Sequence, residues 1–354
     1  MLFRSVFMVF LVSFSFAEGV QEIEESEVEQ VDLKVLTIAM FENGEFTGDS
    51  PGEAQFWAEG EKLNKTMKIP GGFTDLHYND DGHGIIVTGM GHSNAAATVM
   101  AVGMNERLDL SDTYINIAGI AGVDPEKGTL GSAAWARFVI NGDLAHHFDA
   151  REMPEDWDYP YFHLGDSKPW SEEGWSAGTE VYQLNEELVN VAYELSKDVE
   201  LADGDTAQEY RSNYPDDIPA SKEPTVIKGD SFSASTYWHG EILSDWAEWW
   251  TDKWTDGEGD YAMSNMEDSA TLTALKRLNK MGKVDFDRVL VLRTASNFDQ
   301  PYPGQTAQES INANSGGYMP SIKNAYRVGS AVTDNIIANW SEWKDGVPSL
   351  STVK

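Results

Sequence analysis

The sequence contains no cysteine, which excludes disulfides and thiolate-held metals at once. Basic residues are scarce: 25 Lys and Arg stand against 59 Asp and Glu, a formal charge of −34. Such a chain repels nucleic-acid backbones and anionic membranes, and no basic cluster offers a local exception. Free nucleotides meet the same repulsion; neutral solutes do not. Long hydrophobic runs are missing beyond the first residues. No later segment approaches the ~18 uninterrupted apolar residues of a membrane-spanning helix. There is no internal repeat. The adjacent His146 and His147 have no third ligand at zinc-like spacing, so neither a metal nor another cofactor is expected.

What is present begins with "MLFRSVFMVFLVSFSFAEGV", where Arg4 precedes an apolar run to Phe16 and small residues stand at Ser15 and Ala17. This pattern predicts a secretory signal, residues 1–17, cleaved after Ala17 and sending the protein to the periplasm or the cell exterior. The run is too short for a bilayer anchor. Cleavage removes one Arg and no acid, leaving 24 basic against 59 acidic residues, or −35. Residues 18–32 read as an acidic disordered spacer.

From residue 33 onward strands and helices alternate. "LKVLTIAMF", "HGIIVTGMG", "TYINIAGIAGV", "GSAAWARFVI", "TVIKGDSF" and "FDRVLVLRTASNFD" read as strands, being β-rich apolar runs of the buried type. Residues 181–199 and the stretches "STYWHGEILSDWAEWWTDKW", "ATLTALKRLNKMG" and "SIKNAYRVGSAVTDNIIANWSEW" read as helices. The class is therefore α/β, one domain over residues 33–346 with a central, largely parallel mixed sheet flanked by helices. Residues 151–178, rich in Pro, Gly, acids and aromatics, read as a long loop or lid. A tryptophan stripe, Trp246, Trp249, Trp250 and Trp254, is interleaved with acids. It reads as core or as an interface between copies of a homo-oligomer, in preference to a stacking track.

In open α/β sheets, ligands bind at the carboxyl ends of strands. Several such ends carry unusual residues. "TGMGHSN" holds Gly89, Gly91 and His92, "NIAGIAG" holds Gly119, "GDSFSAS" holds Phe232, and "LRTASNFD" holds Asn297. Glycines there let a ligand approach the backbone, or simply make a tight turn. "YAMSNMEDSATLTAL" places Met266 and Glu267 where a strand runs into a helix. A carboxylate at that point can accept two charge-assisted hydrogen bonds from a vicinal diol, or merely complement the helix dipole.

Together, "INIAGIAGVDPEKGTLGSAAW", "DAREMP", "TYWHG" and "LRTASNFDQP" resemble the purine nucleoside permease family over nearly all of residues 33–343. More distantly, the order glycine strand-end, Gly-Asp-x-Phe, Met-Glu and Ala-Ser-Asn is similar to the nucleoside phosphorylase and nucleosidase superfamily. The resemblance implies a three-layer phosphorylase-like fold and a purine nucleoside as ligand. It implies that Glu267 binds the ribose 2′- and 3′-hydroxyls, with Met266 against the sugar face. Phe232 would stack on the base, with core packing as its alternative, and Asn297 would meet purine N7. An aspartate at that last place protonates the departing base; an asparagine can only hydrogen-bond it, as in 6-oxopurine phosphorylases. His92 could reach the ribose or cap a helix, and His239 could border the pocket or pack beneath Trp238.

Phosphorylases grip phosphate with arginine, but Ile117 and Ile120 stand at the matching places, which disfavours phosphorolysis. For water as nucleophile, a glutamate soon after Ala39-Met40 is the expected base, which points to Glu42 and, behind it, Glu45. The reading is therefore an exported purine nucleoside-binding protein serving nucleoside uptake with a separate membrane carrier. A nucleoside hydrolase is the alternative.

Overall fold

The computed structural model describes residues 30–171 and 174–352. The signal-like residues 1–17 and the spacer as far as residue 29 lie outside the described residues. Val31–Asp32, placed in the spacer on composition, pair in parallel with Leu108–Asp109.

The main chain elements are β1 (Val35–Ala39), α1 (Gln55–Gly60), β2 (His83–Val87), α2 (His92–Gly103), β3 (Tyr114–Val123), β4 (Ala133–Trp135) and β5 (Phe138–Asn141). They continue with α3 (Glu186–Ser196), β6 (Asp230–Ser233), α4 (Glu241–Thr255), β7 (Tyr261–Asn265), α5 (Asp268–Lys280), β8 (Val289–Phe298) and α6 (Tyr318–Ala338). The strands belong to a twelve-stranded sheet whose spine runs Val181–Gln183, β5, β6, β7, β3, β1, β2, Leu76–Tyr78 and Lys65–Met67. β8 lies off this path, parallel to β3 and antiparallel to β4. The sheet is mixed: β2, β1 and β3 run parallel, as do β5, β6 and β7, while β7 meets β3 antiparallel. Helices α2 and α5 pack together, and α6 lies along β8 and β3 with α3 beside it. The expected α/β layering with a flanked central sheet is thus the fold observed.

β1 and β2 are buried along their whole length, as their uninterrupted apolar runs require. Residues 131–140, read as one strand, are broken at Ala136 and Arg137. Asp230 Oδ1 accepts the N–H groups of Arg137 (2.9 Å) and Phe138 (2.7 Å), so the chain leaves β8 and joins β6. Residues 181–183, read as helix, form an edge strand; α3 starts after Asn185, whose side chain accepts from Glu187 and Leu188 N–H. The strand-to-helix reading of "YAMSNMEDSATLTAL" is observed as β7 and α5. Asn265 Oδ1 accepts from the N–H groups of Glu267 (3.1 Å) and Asp268 (3.0 Å), turning the chain between them.

The described residues of 151–178 contain one short strand, Tyr161–His163, paired antiparallel with Ala145–His147. Their aromatic side chains pack on α4, with Tyr161 against Trp246 (ring centroids 4.5 Å) and Trp170 against Trp249 (4.7 Å). In the tryptophan stripe, Trp246 and Trp250 are fully buried.

Candidate functional site

A cavity of about 210 Å³ opens where β3, β7 and β8 end. Met40 and Phe41 close it after β1, and Ile120 to Gly122 of β3 form one wall. Thr236, Tyr237 and Trp238 come from the loop after β6, Ser264 to Glu267 from the β7–α5 junction, and Arg293, Ser296 and Asn297 from β8. Glu53, just before α1, and Met90, in the glycine turn, complete it.

Its polar heart is a chain of buried charges. Arg293 is 2% exposed. Its Nε and Nη2 donate to Asp268 Oδ1 at 3.0 and 2.6 Å, Nη2 also donates to Glu267 Oε2 at 3.3 Å, and Nη1 to Ile120 O at 2.9 Å. Burial works against this guanidinium's charge, but Asp268 and Glu267 hold its pKa above the ordinary value. Glu267 is 4% exposed, and its Oε1 accepts the N–H of Gly91 at 3.0 Å. Each Glu267 oxygen therefore has one protein donor and keeps a lone pair for a ligand.

Glu53, 1% exposed, takes N–H donors from Ile120 (2.7 Å), Met40 (2.7 Å) and Phe41 (3.3 Å). Burial pushes its pKa from 4.5 up to about 7, with Arg293 pulling the other way and Glu267 adding repulsion. Gly119 explains how the two fit together. A Cβ there would stand 2.7 Å from both Arg293 Nη1 and Glu53 Oε1, so only glycine lets these groups approach across β3.

Asn297 reaches the cavity through a bulge. The β8–β3 register slips between Ala295 and Asn297, which re-aims the side chain. Its amide accepts from Ser296 Oγ at 3.0 Å and donates to Phe298 O at 2.9 Å, leaving one N–H uncommitted.

Of the residues singled out by sequence, Met266, Glu267 and Asn297 line this cavity together, and Gly91 and Gly119 serve it from behind. Gly89 belongs to the turn, with Phe73 packed over it. The others are placed differently. Glu42 is a cap, accepting from Asn43, Gly52, Ala54 and Gln55 N–H around the start of α1. Glu45 is exposed on the same loop. The carboxyl from the chain after β1 that does line the cavity is Glu53, displaced from Met40 by the loop "FENGEFTGDSPG". Phe232, wholly buried, packs edge-on to Trp238, Trp246 and Tyr261, so core packing is its role. The rings that do line the cavity are Phe41, Tyr237 and Trp238. His92 is engaged by Asp143 (3.0 Å), Ser233 (3.2 Å) and Ser269 (3.0 Å), pinning the start of α2. His239 does not line the cavity, and burial lowers its pKa. No described residue of 151–178 lines the cavity, so the expected lid covers α4 instead. Ile120 lines the cavity as read, and the arginine present, Arg293, comes from β8 with its charge occupied by carboxylates.

Two signals for the missed residues were in the sequence. Arg293 interrupts the apolar strand "VLVLRTA", where a buried cation demands acidic partners. Glu53 sits between Gly52 and Ala54 directly before the apolar helix start "QFWA".

A family model described as purine nucleoside permease (NUP) matches residues 32–348. A probable purine nucleoside permease of Schizosaccharomyces pombe is 34% identical over 268 residues, covering 73% of this chain and 76% of that protein. A purine nucleoside permease of Candida albicans is 33% identical over 267 residues, covering 74% of this chain and 66% of that protein. Among solved structures, a 5′-methylthioadenosine/S-adenosylhomocysteine nucleosidase of Helicobacter pylori, bound to butyl-thio-DADMe-Immucillin-A, superposes with a TM-score of 0.53. The identity is 11%, over 86% of this chain and 99% of that one. The nucleosidase of Neisseria meningitidis in complex with methylthio-immucillin-A gives 0.51 at 12% identity, over 85% and 99% of the two chains. These likenesses are of fold.

Proposed function

The chain belongs to the purine nucleoside permease family, and on that premise we propose that it binds a purine nucleoside in the cavity between β3, β7 and β8, in the service of nucleoside uptake. The observation that carries this is Glu267. Its two oxygens are oriented by Arg293 and the Gly91 N–H, and each keeps a lone pair. A ribose donates two neighbouring hydroxyls to such a group, each bond contributing about 1.5–3 kcal/mol. Tyr237, Trp238 and the free Asn297 N–H stand ready for the base. A phosphorylated ligand would meet two carboxyls, Glu53 and Glu267, and one already paired guanidinium, which favours the neutral nucleoside.

Export and a separate membrane carrier are part of the same proposal. The signal-like residues 1–17 support the first. For the second, among the described residues no helix is long and apolar enough to cross a membrane.

Glu53 favours a second reading, hydrolysis of the N-glycosidic bond. With a pKa near 7 it is about half ionised at neutral pH and suited to act as general base. It would take a proton from water as the water oxygen bonds to C1′. The C1′–N9 electrons would leave with the purine, Asn297 hydrogen-bonding the developing base anion. Phosphorolysis lacks an unpaired cation to recruit its nucleophile.

The test is to titrate the protein with inosine, guanosine and adenosine by calorimetry and assay free base chromatographically, with and without phosphate. Saturable binding without base release is expected for the binder, and release independent of phosphate for the hydrolase. Absence of binding defeats both, and release only with phosphate contradicts the charge argument.

A further inference from the structure

A second cavity, of about 530 Å³, lies between α4 and residues 151–178 and shares no lining residue with the nucleoside site. Beside the nucleoside site itself the chain gathers a knot of polar side chains centred on Asp143 and His92. Asp143 stands just past β5, its side chain 33% exposed. Its Oδ2 accepts twice, from His92 Nδ1 at 3.0 Å and from the Ser235 N–H at 2.9 Å. Ser235 Oγ in turn accepts the His92 N–H at 3.1 Å. The carboxylate thereby closes a ring of hydrogen bonds through three segments: the end of β5, the start of α2 and the loop after β6. Burial works against its charge, but His92 and the Ser235 N–H hold its pKa below the ordinary value.

His92 carries the knot further. Its Nε2 meets Ser233 Oγ at 3.2 Å and Ser269 Oγ at 3.0 Å, and Ser233 Oγ also accepts the Ser269 N–H at 3.1 Å. An ionised Asp143 keeps the neutral ring's proton on Nδ1, which leaves Nε2 to accept from the serine hydroxyls. A serine, a histidine and an aspartate in this order form a nucleophilic triad where the serine meets a substrate. Here Ser233 and Ser269 are 0% and 1% exposed and neither lines the cavity, so the set holds other groups in place.

The groups it holds belong to the nucleoside site. Gly91, beside His92, gives its N–H to Glu267 Oε1 at 3.0 Å. With φ at +83° and no side chain, Gly91 depends on its neighbours for a fixed position. Thr236, Tyr237 and Trp238, beside Ser235, form one wall of the cavity. Asp143 and His92 line none of it. Building on the nucleoside-binding reading, we propose that Asp143 is a positioning residue. Through His92 and Ser235 it fixes the Gly91 N–H on Glu267 together with the Thr236–Trp238 wall, and so sets how firmly the ribose diol is gripped.

The test uses the full chain labelled with carbonyl-¹³C methionine and ¹⁵N glycine. Only two Met-Gly steps occur, at residues 90–91 and 281–282, and Glu267→Gln identifies the Gly91 amide as the signal it moves. Asp143→Ala, at a partly exposed position, should shift that amide proton upfield as its bond to the carboxylate loosens. Asp143→Asn, whose amide oxygen can accept both donors, should restore it. By calorimetry, the preference for inosine over 2′,3′-dideoxyinosine should shrink about ten-fold in Asp143→Ala, the worth of one hydrogen bond, and recover in Asp143→Asn. A merely structural role would weaken both ligands alike and leave their ratio as in the parent. An unmoved Gly91 signal or an unchanged ratio in Asp143→Ala overturns the proposal. A parent that binds neither ligand defeats the functional reading, and the Gly91 signal then decides the positioning by itself.

Discussion

The two cavities are built on opposite principles. At the ends of β3, β7 and β8 each buried charge is positioned by another: Arg293 by Asp268 and Glu267, and Glu267 by Arg293 and Gly91. Between α4 and residues 151–178 the walls are indoles. In the first site the ionic groups satisfy one another, so few lone pairs remain for the proposed ligand. The second is walled by aromatic packing, and its one lysine, Lys253, is held by Asp166 and Ser171 O. A buried ionic network is also the more fragile of the two, because removing one member strands the rest.

The largest expected effect follows from that fragility. Arg293→Met leaves Asp268 and Glu267 buried without their counter-ion, and should destabilise the fold by about 3–5 kcal/mol. Thermal or urea unfolding measures it. A loss below about 1 kcal/mol would mean that the network is not the ionic unit described.

Next comes the pH response of Glu53. Its pKa is raised from 4.5 to about 7, so the folded protein holds the proton more tightly than the unfolded chain. The stability this lends is complete below about pH 4.5 and is lost as pH rises through 7. A shift of this size corresponds to about 3 kcal/mol. Unfolding free energy should therefore fall between pH 5 and 8, and Glu53→Gln should flatten the slope. Part of it will persist through Asp124, which burial raises to about 6. An identical slope in the variant would show that Glu53 titrates normally.

A smaller effect separates the two glutamates near β1. Glu42→Ala removes the acceptor for the first N–H groups of α1, at a cost of about 0.5–2 kcal/mol. Nucleoside affinity should stay unchanged. A large loss of affinity with stability intact would return Glu42 to the site.

Much of this was legible in the sequence. The alternating strands and helices, the β7–α5 junction and the meeting of Glu267 with Asn297 follow from local pattern and from where strands end. Hydrophobic period fixes which face of a strand is buried, but it does not show which loop folds back over the sheet. That is why Glu42, adjacent to β1 in sequence, was expected where Glu53 stands. It is also why Phe232 was expected to face a ligand: the aromatic cluster around it is assembled from the loop after β6, α4 and β7, whose packing on one another the period does not show. The bulge at residues 295–297 has no local sequence mark. Arg293 did have one, since a lone cation in an apolar strand states its need for buried acids.

The central claim is that Glu267 grips a vicinal diol. The direct measurement is the calorimetric affinity of inosine and of 2′,3′-dideoxyinosine for the parent protein and for Glu267→Gln. The parent should prefer inosine by about 100-fold or more, the worth of two charged hydrogen bonds, and the variant should lose most of that preference. Equal affinities in the parent, or a preference that survives intact in Glu267→Gln, would contradict the account.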